Sequence, residues 1–359
     1  MAESVDRAQV LAYRVATHQF DRASTEQAAS DLTVFDLGVQ DSEHSAAASL
    51  AARLSSDPDL SAYTVTWTVR GAPHLHRPAE VPALAARLWP LSDADAVTRM
   101  SRPRGVTEGR AMLAAVAEAL REVVTEPMTK GEASGLITPL VPKEVTAWCR
   151  GCGTTHVQDP IFRLAVLPAG LVFDVTRKTV TFVPLPKRRA VPKNTKGFTD
   201  LLLAYLRLHG PAGPSEVASY FASTTTEIKN VWPDDLAEVT VDGKRAWLPK
   251  DRLKALRNPP DPDVVRLLPP LDPYLQARDR DLLVPDKASQ KEVWRILGRR
   301  GAIMVDGEIT GTWQAKTASK RLDVTLNPFG EPPPGSAIKE EAHRLAATRG
   351  LESARVRQA

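Results

Sequence analysis

Residues 199–248, TDLLLAYLRLHGPAGPSEVASYFASTTTEIKNVWPDDLAEVTVDGKRAWL, decide the fold. Thr199–His209 carries its leucines at helical spacing, and Gly210-Pro211 stops the helix, because proline lacks an amide hydrogen and fixes φ. Ser215 is placed to cap a short second helix, SEVASYFA, with Val217, Ala218 and Phe221 on its inner face. A third helix is expected from about Thr225 to Trp232. EVTVDGKRAWL then reads as two short strands folded back at Asp242-Gly243, a dipeptide suited to a two-residue hairpin turn. Helix, helix, helix, hairpin is the order of a helix-turn-helix with a wing.

The same order is legible on the N-terminal side. Residues 6–20 place Ala8, Leu11, Ala12 and Val15 on one helical face. A short helix is expected around Thr25–Leu32 and an alanine-rich one over Ser45–Leu54. The strand Ala62–Arg70 follows, where Tyr63, Val65, Trp67 and Val69 alternate with threonines. Between these repeats lies another, with a helix over Glu108–Thr125, capping residues at Thr129 and Ser134, and the strand pair GLVFDV and TVTFVPL. WCRGCGTTHV and PIFRLAVL show no clear period. PPDP at 259–262 marks a linker. Beyond it, a central helix at Ser289–Gly298 precedes AIMVDG and EITGTWQ, two strands turning at Asp306-Gly307. The tail carries mixed charges and no wide apolar stripe, so a solvated helix or frayed end is expected. The expected fold is therefore α+β, with tandem winged-helix units at 1–105, 106–192 and 193–258. A small β-containing unit at 259–330 and a charged helical tail at 331–359 complete it.

Composition narrows the partners. The 359 residues are 43% hydrophobic, enough for several packed cores. A net charge of +4 and a pI near 9.0 make the chain mildly basic, as suits a nucleic-acid partner. The 29 prolines fit short elements separated by marked turns. The first thirty residues have early acidic groups and no apolar core of a signal peptide. No run approaches the roughly 20 apolar residues of a membrane span. A cytoplasmic protein, nucleoid-associated when on DNA, is expected. Two cysteines imply no disulfide framework. Cys149 and Cys152 form WCRGCG, with His156 close behind. One CxxC is half a zinc site and no second pair follows at suitable spacing, so a tight structural turn is expected.

LLPPLDPYLQARDR at 267–280 and IMVDGEITGTW at 303–313 carry a more specific signal. Together with VFDLGVQDS (34–42) and TVRGAPHLHR (68–77), they resemble the AlkZ/YcaQ family of bacterial DNA glycosylases. The matching residues are Asp272, Tyr274, Arg278, Asp279 and Arg280, then Asp306, Gly307, Gly311 and Trp313. The resemblance spans roughly residues 6–330. It implies three winged-helix units around a concave, C-shaped, positively charged channel for double-stranded DNA. The implied chemistry is hydrolysis of the N-glycosidic bond of alkylated purines, bulky adducts and interstrand crosslinks included. Water is the nucleophile, with no metal or cofactor, and a monomer is expected. A hairpin of the 303–313 kind probes the minor groove in that family, and Arg299 and Arg300 precede it here.

The family's catalytic motif is two glutamines flanking a hydrophobic residue, with aspartate in the second place in one branch. Here half of it is absent. Aligning on Leu37-Gly38 makes Gln40 the first glutamine, with Asp41 in the hydrophobic place and Ser42 in the second. Aligning on the acidic residue gives Gly38-Val39-Gln40. The first alignment disturbs the flanks least. An N7-alkylated purine already carries positive charge and leaves neutral, so no strong acid is needed. What remains is an oxocarbenium-like sugar and a water, which preorganised oxygen atoms can stabilise and position. Gln40 is the catalytic candidate by family match and Asp41 by chemistry, since a carboxylate also accepts a proton. The competing reading is that Asp41 or Ser42 caps the next helix.

For DNA contact the candidates are the basic run Lys187, Arg188 and Arg189 with Lys193, which joins two repeats. Lys229 on the third helix, Lys244 and Arg245 on the hairpin, and Arg278 and Arg280 in the family signature extend the set. Asp279 between the last two suggests local ion pairing. His74 and His76 alternate on a strand and so share a face. They are read as lining the cleft, with wing surface as the alternative and no third metal ligand nearby. A non-catalytic winged-helix DNA-binding protein, regulator or lesion binder, is the alternative function, and a protein-interaction array a further one.

Overall fold

The computed structural model describes residues 3–22, 28–42 and 45–359. The chain forms two compact units from non-contiguous segments. One comprises Met1–Leu60, Leu203–Glu216 and Asp234–Ala359, the other Ser61–Leu202 and Val217–Pro233.

In the first unit, the helix Arg7–Thr17 starts at a capping box in which Asp6 and Gln9 satisfy each other's backbone amides. Its buried Val10 and Tyr13 join Val239, Val241, Ala246 and Leu248 in one core. The hairpin Leu236–Val241 with Lys244–Pro249 turns where expected, with Asp242 at φ 46° and Gly243 at φ 82°. A strand absent from the sequence reading, Glu3–Val5, pairs parallel with Val239–Val241.

The same unit holds a five-stranded sheet in the order Val265–Leu268, Gly301–Val305, Glu308–Ala318, Arg321–Pro328, Ser353–Gln358. The first three pairings are antiparallel and the last is parallel. Gly301 lies under Trp313, and a Cβ there would fall 2.2 Å from the indole, so only glycine fits. The helix Gly335–Ala347 lays Ile338, Ala342, Leu345 and Ala346 against Leu322, Val324 and Leu326. This corrects the reading of residues 337–359 as a solvated helix or frayed tail. A narrow stripe suffices to cover one sheet face, and each buried aliphatic contributes roughly 1.5–3 kcal/mol. The final strand then adds to the sheet edge.

The second unit centres on Trp67, whose ring meets Phe173 and Phe182 edge-on at 5.1 and 5.5 Å. Trp89, Leu113, Val116 and Phe162 fill the same core. The strand read as Ala62–Arg70 is shorter, Thr64–Trp67, because the chain turns at Val69–Gly71 with Arg70 at φ 58° and Gly71 at φ 62°. It pairs antiparallel with Pro73–His76. The helix Gly109–Val123 and the hairpin Leu171–Phe173 with Thr181–Pro184 match expectation. The helices Val81–Arg87 and Asp93–Arg99 and the hairpin Thr146–Cys149 with Thr154–Val157 were not foreseen. Residues 199–248 do form helices Phe198–His209, Pro214–Phe221 and Thr225–Asn230 before their hairpin. The short helix expected at Thr25–Leu32 lies partly outside the described residues, and its described part holds a single 3-10 turn, Ala29–Asp31.

Candidate functional site

Gln40 stands at the end of a buried apolar stretch. Leu32, Val34, Phe35, Leu37 and Val39 are all buried, and Gly38 takes φ 84° to turn the chain into the two-residue strand Val39–Gln40. The Gln40 side chain is half-buried, and its Oε1 is buried with no hydrogen-bond partner among the described residues. An unpartnered carbonyl oxygen costs about 1–3 kcal/mol. The backbone beyond it is tied to the helix Ser45–Ala51. The Ser45 hydroxyl accepts from Ser42 N at 2.7 Å and donates to Gln40 O at 3.2 Å. The Asp41 carboxylate accepts from Ala46 N at 3.4 Å, so it is engaged at the helix N-terminus as the capping reading required.

The family signature holds this helix from its other end. Arg53, just past the helix, makes a bidentate pair with Asp272, both N···O distances 2.9 Å and both side chains fully buried. Arg53 also donates to Ser49 O at 2.6 Å and lies over the Phe20 ring. Asp272 further accepts from Tyr274 N, the Tyr274 hydroxyl donates to Gly307 O at 2.7 Å, and Trp313 Nε1 donates to Leu268 O at 2.9 Å. Asp279 pairs with buried Arg14 and not with its neighbours Arg278 and Arg280. Asp272, Tyr274, Gly307, Trp313 and Asp279 are thus scaffold.

Two clefts open on this unit. One, of about 800 Å³, is lined by Ser42, Ser45, Pro270, Arg299, Trp313 and Lys316 among others. At its edge the helix expected over Ser289–Gly298 ends early, at Val293, and leaves a loop. In that loop Ile296 and Leu297 are 86% and 83% exposed, between Arg295 and Arg299. The sequence reading missed both residues, because RIL continues a helical run without a breaker before Gly298. The other cleft, of about 610 Å³, gathers four of the expected DNA contacts, Lys244, Arg245, Arg278 and Arg280. Three of its carboxylates are engaged: Asp279 pairs with Arg14, Asp281 pairs with Lys287, and Glu216 accepts from Gly213 N at 3.0 Å. Arg280 lies 4.8 Å from the Trp294 ring centre, while Arg245 pairs with Glu238 on the surface.

In the second unit, His74 and His76 are 2% exposed, which removes them from the cleft-lining role expected of them. The strand Pro73–His76 turns both inward. His74 Nδ1 lies 2.9 Å from Ala72 O, and His76 Nε2 lies 3.2 Å from Thr68 Oγ1. Burial pushes both imidazoles down to about 3, so they are neutral core groups at pH 7. Lys187, Arg189 and Lys193 are exposed, as is Lys229 on its short helix. Arg188 instead donates to Arg121 O at 2.7 Å and Val124 O at 3.2 Å, capping the end of the helix Gly109–Val123. Among the described residues, one group has the donors and spacing for a metal ion: Cys149, Cys152 and His156, with ligand atoms within 4.8 Å of one another. No helix among the described residues is long and apolar enough to cross a membrane.

An α+β chain with clefts lined by arginine and lysine suits a protein that works on a polyanion, and comparison with known proteins makes the class a DNA-repair glycosylase, a hydrolase of N-glycosidic bonds. The family model described as DNA glycosylase AlkZ-like matches residues 37–348, and the chain belongs to that family. It is 25% identical to the interstrand DNA cross-link repair glycosylase of Streptomyces sahachiroi over 97% of this chain and 98% of that one. The solved structure of the Streptomyces sahachiroi DNA glycosylase AlkZ superposes with a TM-score of 0.76 at 22% identity, covering 99% of this chain and 100% of that one.

Proposed function

We propose that the protein removes cationic alkylpurines, crosslinked ones included, from double-stranded DNA, with Gln40 as the group that acts at the sugar. The observation that carries this is the buried Oε1 of Gln40, unpartnered among the described residues. A carbonyl oxygen already stripped of its solvent needs no reorganisation to face a developing oxocarbenium ion or to hold the attacking water. The leaving base departs neutral, so the absence of a strong acid is no obstacle. Asp41 caps a helix and serves as a positioning residue for Gln40. Crosslinks enter because the Streptomyces sahachiroi relative is named for their repair.

For grip on DNA, the reading assigns phosphate contacts to Lys244, Arg278 and Arg280 around one cleft and to Arg299 and Lys316 around the other. Ile296 and Leu297 are assigned the part of an apolar wedge. Two aliphatic side chains left in water forgo roughly 1.5–3 kcal/mol of burial each, and insertion between base steps recovers it. The helix–helix–helix–hairpin segments act as winged helices. The working species in this reading is a monomer.

The test is release of N7-methylguanine from a duplex, read as alkali-labile strand breaks. Release by the wild type supports the reading. Salt-dependent duplex binding with no release, from this lesion or a bulkier N7 adduct, favours the second reading of a non-catalytic lesion binder. One observation leans toward that reading: Asp41, the only carboxylate in the motif, is engaged in the fold.

A further inference from the structure

Cys149 and Cys152 lack a second CxxC in the sequence, yet the fold supplies a third ligand. In the hairpin Thr146–Cys149 with Thr154–Val157, His156 lies opposite Ala147 and Cys149 opposite Thr154. Residues two apart on a strand share a face, so Ala147 and Cys149 point to the same side, and His156 points there too. The turn between the strands brings Cys152 back over that face. Gly153, at φ 64°, closes it by donating its N–H to Cys149 O at 2.9 Å. A Cβ on Gly151 would lie 4.0 Å from the Cys149 sulfur, so the turn wraps closely around it.

Two further features go beyond clustering. The His156 ring has Nδ1 2.8 Å from Val157 O. With Nδ1–H donated to the carbonyl, Nε2 is left as the lone-pair nitrogen, and a nitrogen of this ring lies within 4.8 Å of both sulfurs. A ligating histidine is oriented in this way by its outer partner. The hairpin also has a need for such a clamp. It is two-stranded and mostly exposed, with Trp148 66% exposed, and an isolated pair of strands is marginal in water.

We propose that Cys149, Cys152 and His156 bind one thiolate-preferring divalent cation, zinc by its affinity for sulfur and nitrogen donors, with water in the fourth tetrahedral position. The ion staples the hairpin; none of the residues assigned to base release belongs to the site. Binding displaces the two thiol protons to solvent, with no change of oxidation state.

The test uses the full chain, reduced, purified without chelator from zinc-supplemented medium. Elemental analysis should find one zinc per chain in the wild type and under a tenth of that in a Cys149→Ser/Cys152→Ser variant. Cobalt added to chelator-stripped protein should give the visible bands of a tetrahedral site and a near-ultraviolet sulfur-to-cobalt band. His156→Ala should weaken zinc at least as much as the roughly 10–100-fold that follows from losing an outer partner. Should the variants misfold, limited proteolysis of the wild type still decides: zinc should protect residues 143–158, and stripping it should expose them. The proposal is overturned if the reduced wild type takes up no more zinc or cobalt than the double variant. It is equally overturned if stripping leaves cleavage at the hairpin unchanged.

Discussion

Replacing Asp272 by alanine should cost the first unit more than any other single change at the family signature. The side chain is fully buried and receives two 2.9 Å hydrogen bonds from Arg53, itself fully buried. Removing one partner of such a pair strands a charge, at a cost of about 3–5 kcal/mol. Tyr274 N loses its acceptor as well, adding roughly 1–3 kcal/mol for a buried unpaired amide. The expected loss is at least 3–5 kcal/mol, and it should appear where Arg53 anchors the end of the helix Ser45–Ala51. Native-state hydrogen exchange of peptides spanning 45–54 and 264–275 reads it locally, which suits a chain of two units. Replacing both residues, Arg53→Leu with Asp272→Leu, removes the stranded charge and should recover the larger part, since apolar substitutes for a buried pair are often neutral or better. A loss below about 1 kcal/mol in Asp272→Ala, or a double variant no more stable than the single, would refute the view that this pair anchors the end of the helix Ser45–Ala51.

Three other outcomes follow from the geometry. An unfolded histidine takes up its proton near pH 6.5, but buried His74 and His76 not until about 3, so the unfolded chain binds more protons between those values. Stability of the second unit should therefore be full above about pH 6.5 and fall as the pH drops, by up to roughly 1.4 kcal/mol per pH unit for each ring; His74→Gln should flatten the denaturation profile, and an unchanged slope would count against the burial argument. Ile296→Ser with Leu297→Ser should weaken binding to a lesion duplex without lowering the melting temperature, since both side chains are exposed; unchanged affinity in a gel-shift titration would remove the wedge. Lys244→Ala and Arg280→Ala should each reduce the slope of log affinity against log salt by about 0.9 for a lost phosphate contact, and a parallel line would mean that their cleft does not meet the backbone.

The middle of the chain was legible because local chemistry and tertiary fold agree there. Leu201, Leu202, Tyr205 and Leu208 fall on one buried helical face, and Asp242-Gly243 turns the hairpin as the dipeptide prefers. The strand Glu3–Val5 was not legible, since three residues pairing in parallel with Val239–Val241 leave no periodic trace. The final helix was undervalued because its buried face, Ile338, Ala342, Leu345 and Ala346, holds only two large aliphatic side chains and includes the charged Glu341. At the site, Gln40 could be singled out only through the family resemblance. Its unpartnered oxygen depends on the packing of residues 32–39, which no local pattern reveals. Asp272 and Trp313 stood out as signature residues, but their role as scaffold emerged from contacts with Arg53 and Gly301, distant in sequence. Imidazoles are ambiguous between core and cleft until burial is known, which is why His74 and His76 were misjudged. His156 stands close behind the CxxC in the sequence, but its place on the same hairpin face as Cys149 follows only from strand register.

The central claim is that the Gln40 carbonyl acts at the sugar while Asp41 only positions it. Single-turnover release of N7-methylguanine, with enzyme in excess and lesion binding measured in parallel, tests this directly on the wild type, Gln40→Ala and Asp41→Asn. The account predicts that Gln40→Ala lowers the rate by about 10²–10³, the loss typical of a preorganised polar group facing transition-state charge, with duplex affinity unchanged. Asp41→Asn, which keeps an acceptor for Ala46 N, should retain most of the rate. A Gln40→Ala enzyme that releases base at the wild-type rate, or an Asp41→Asn enzyme that alone loses it, would contradict the assignment.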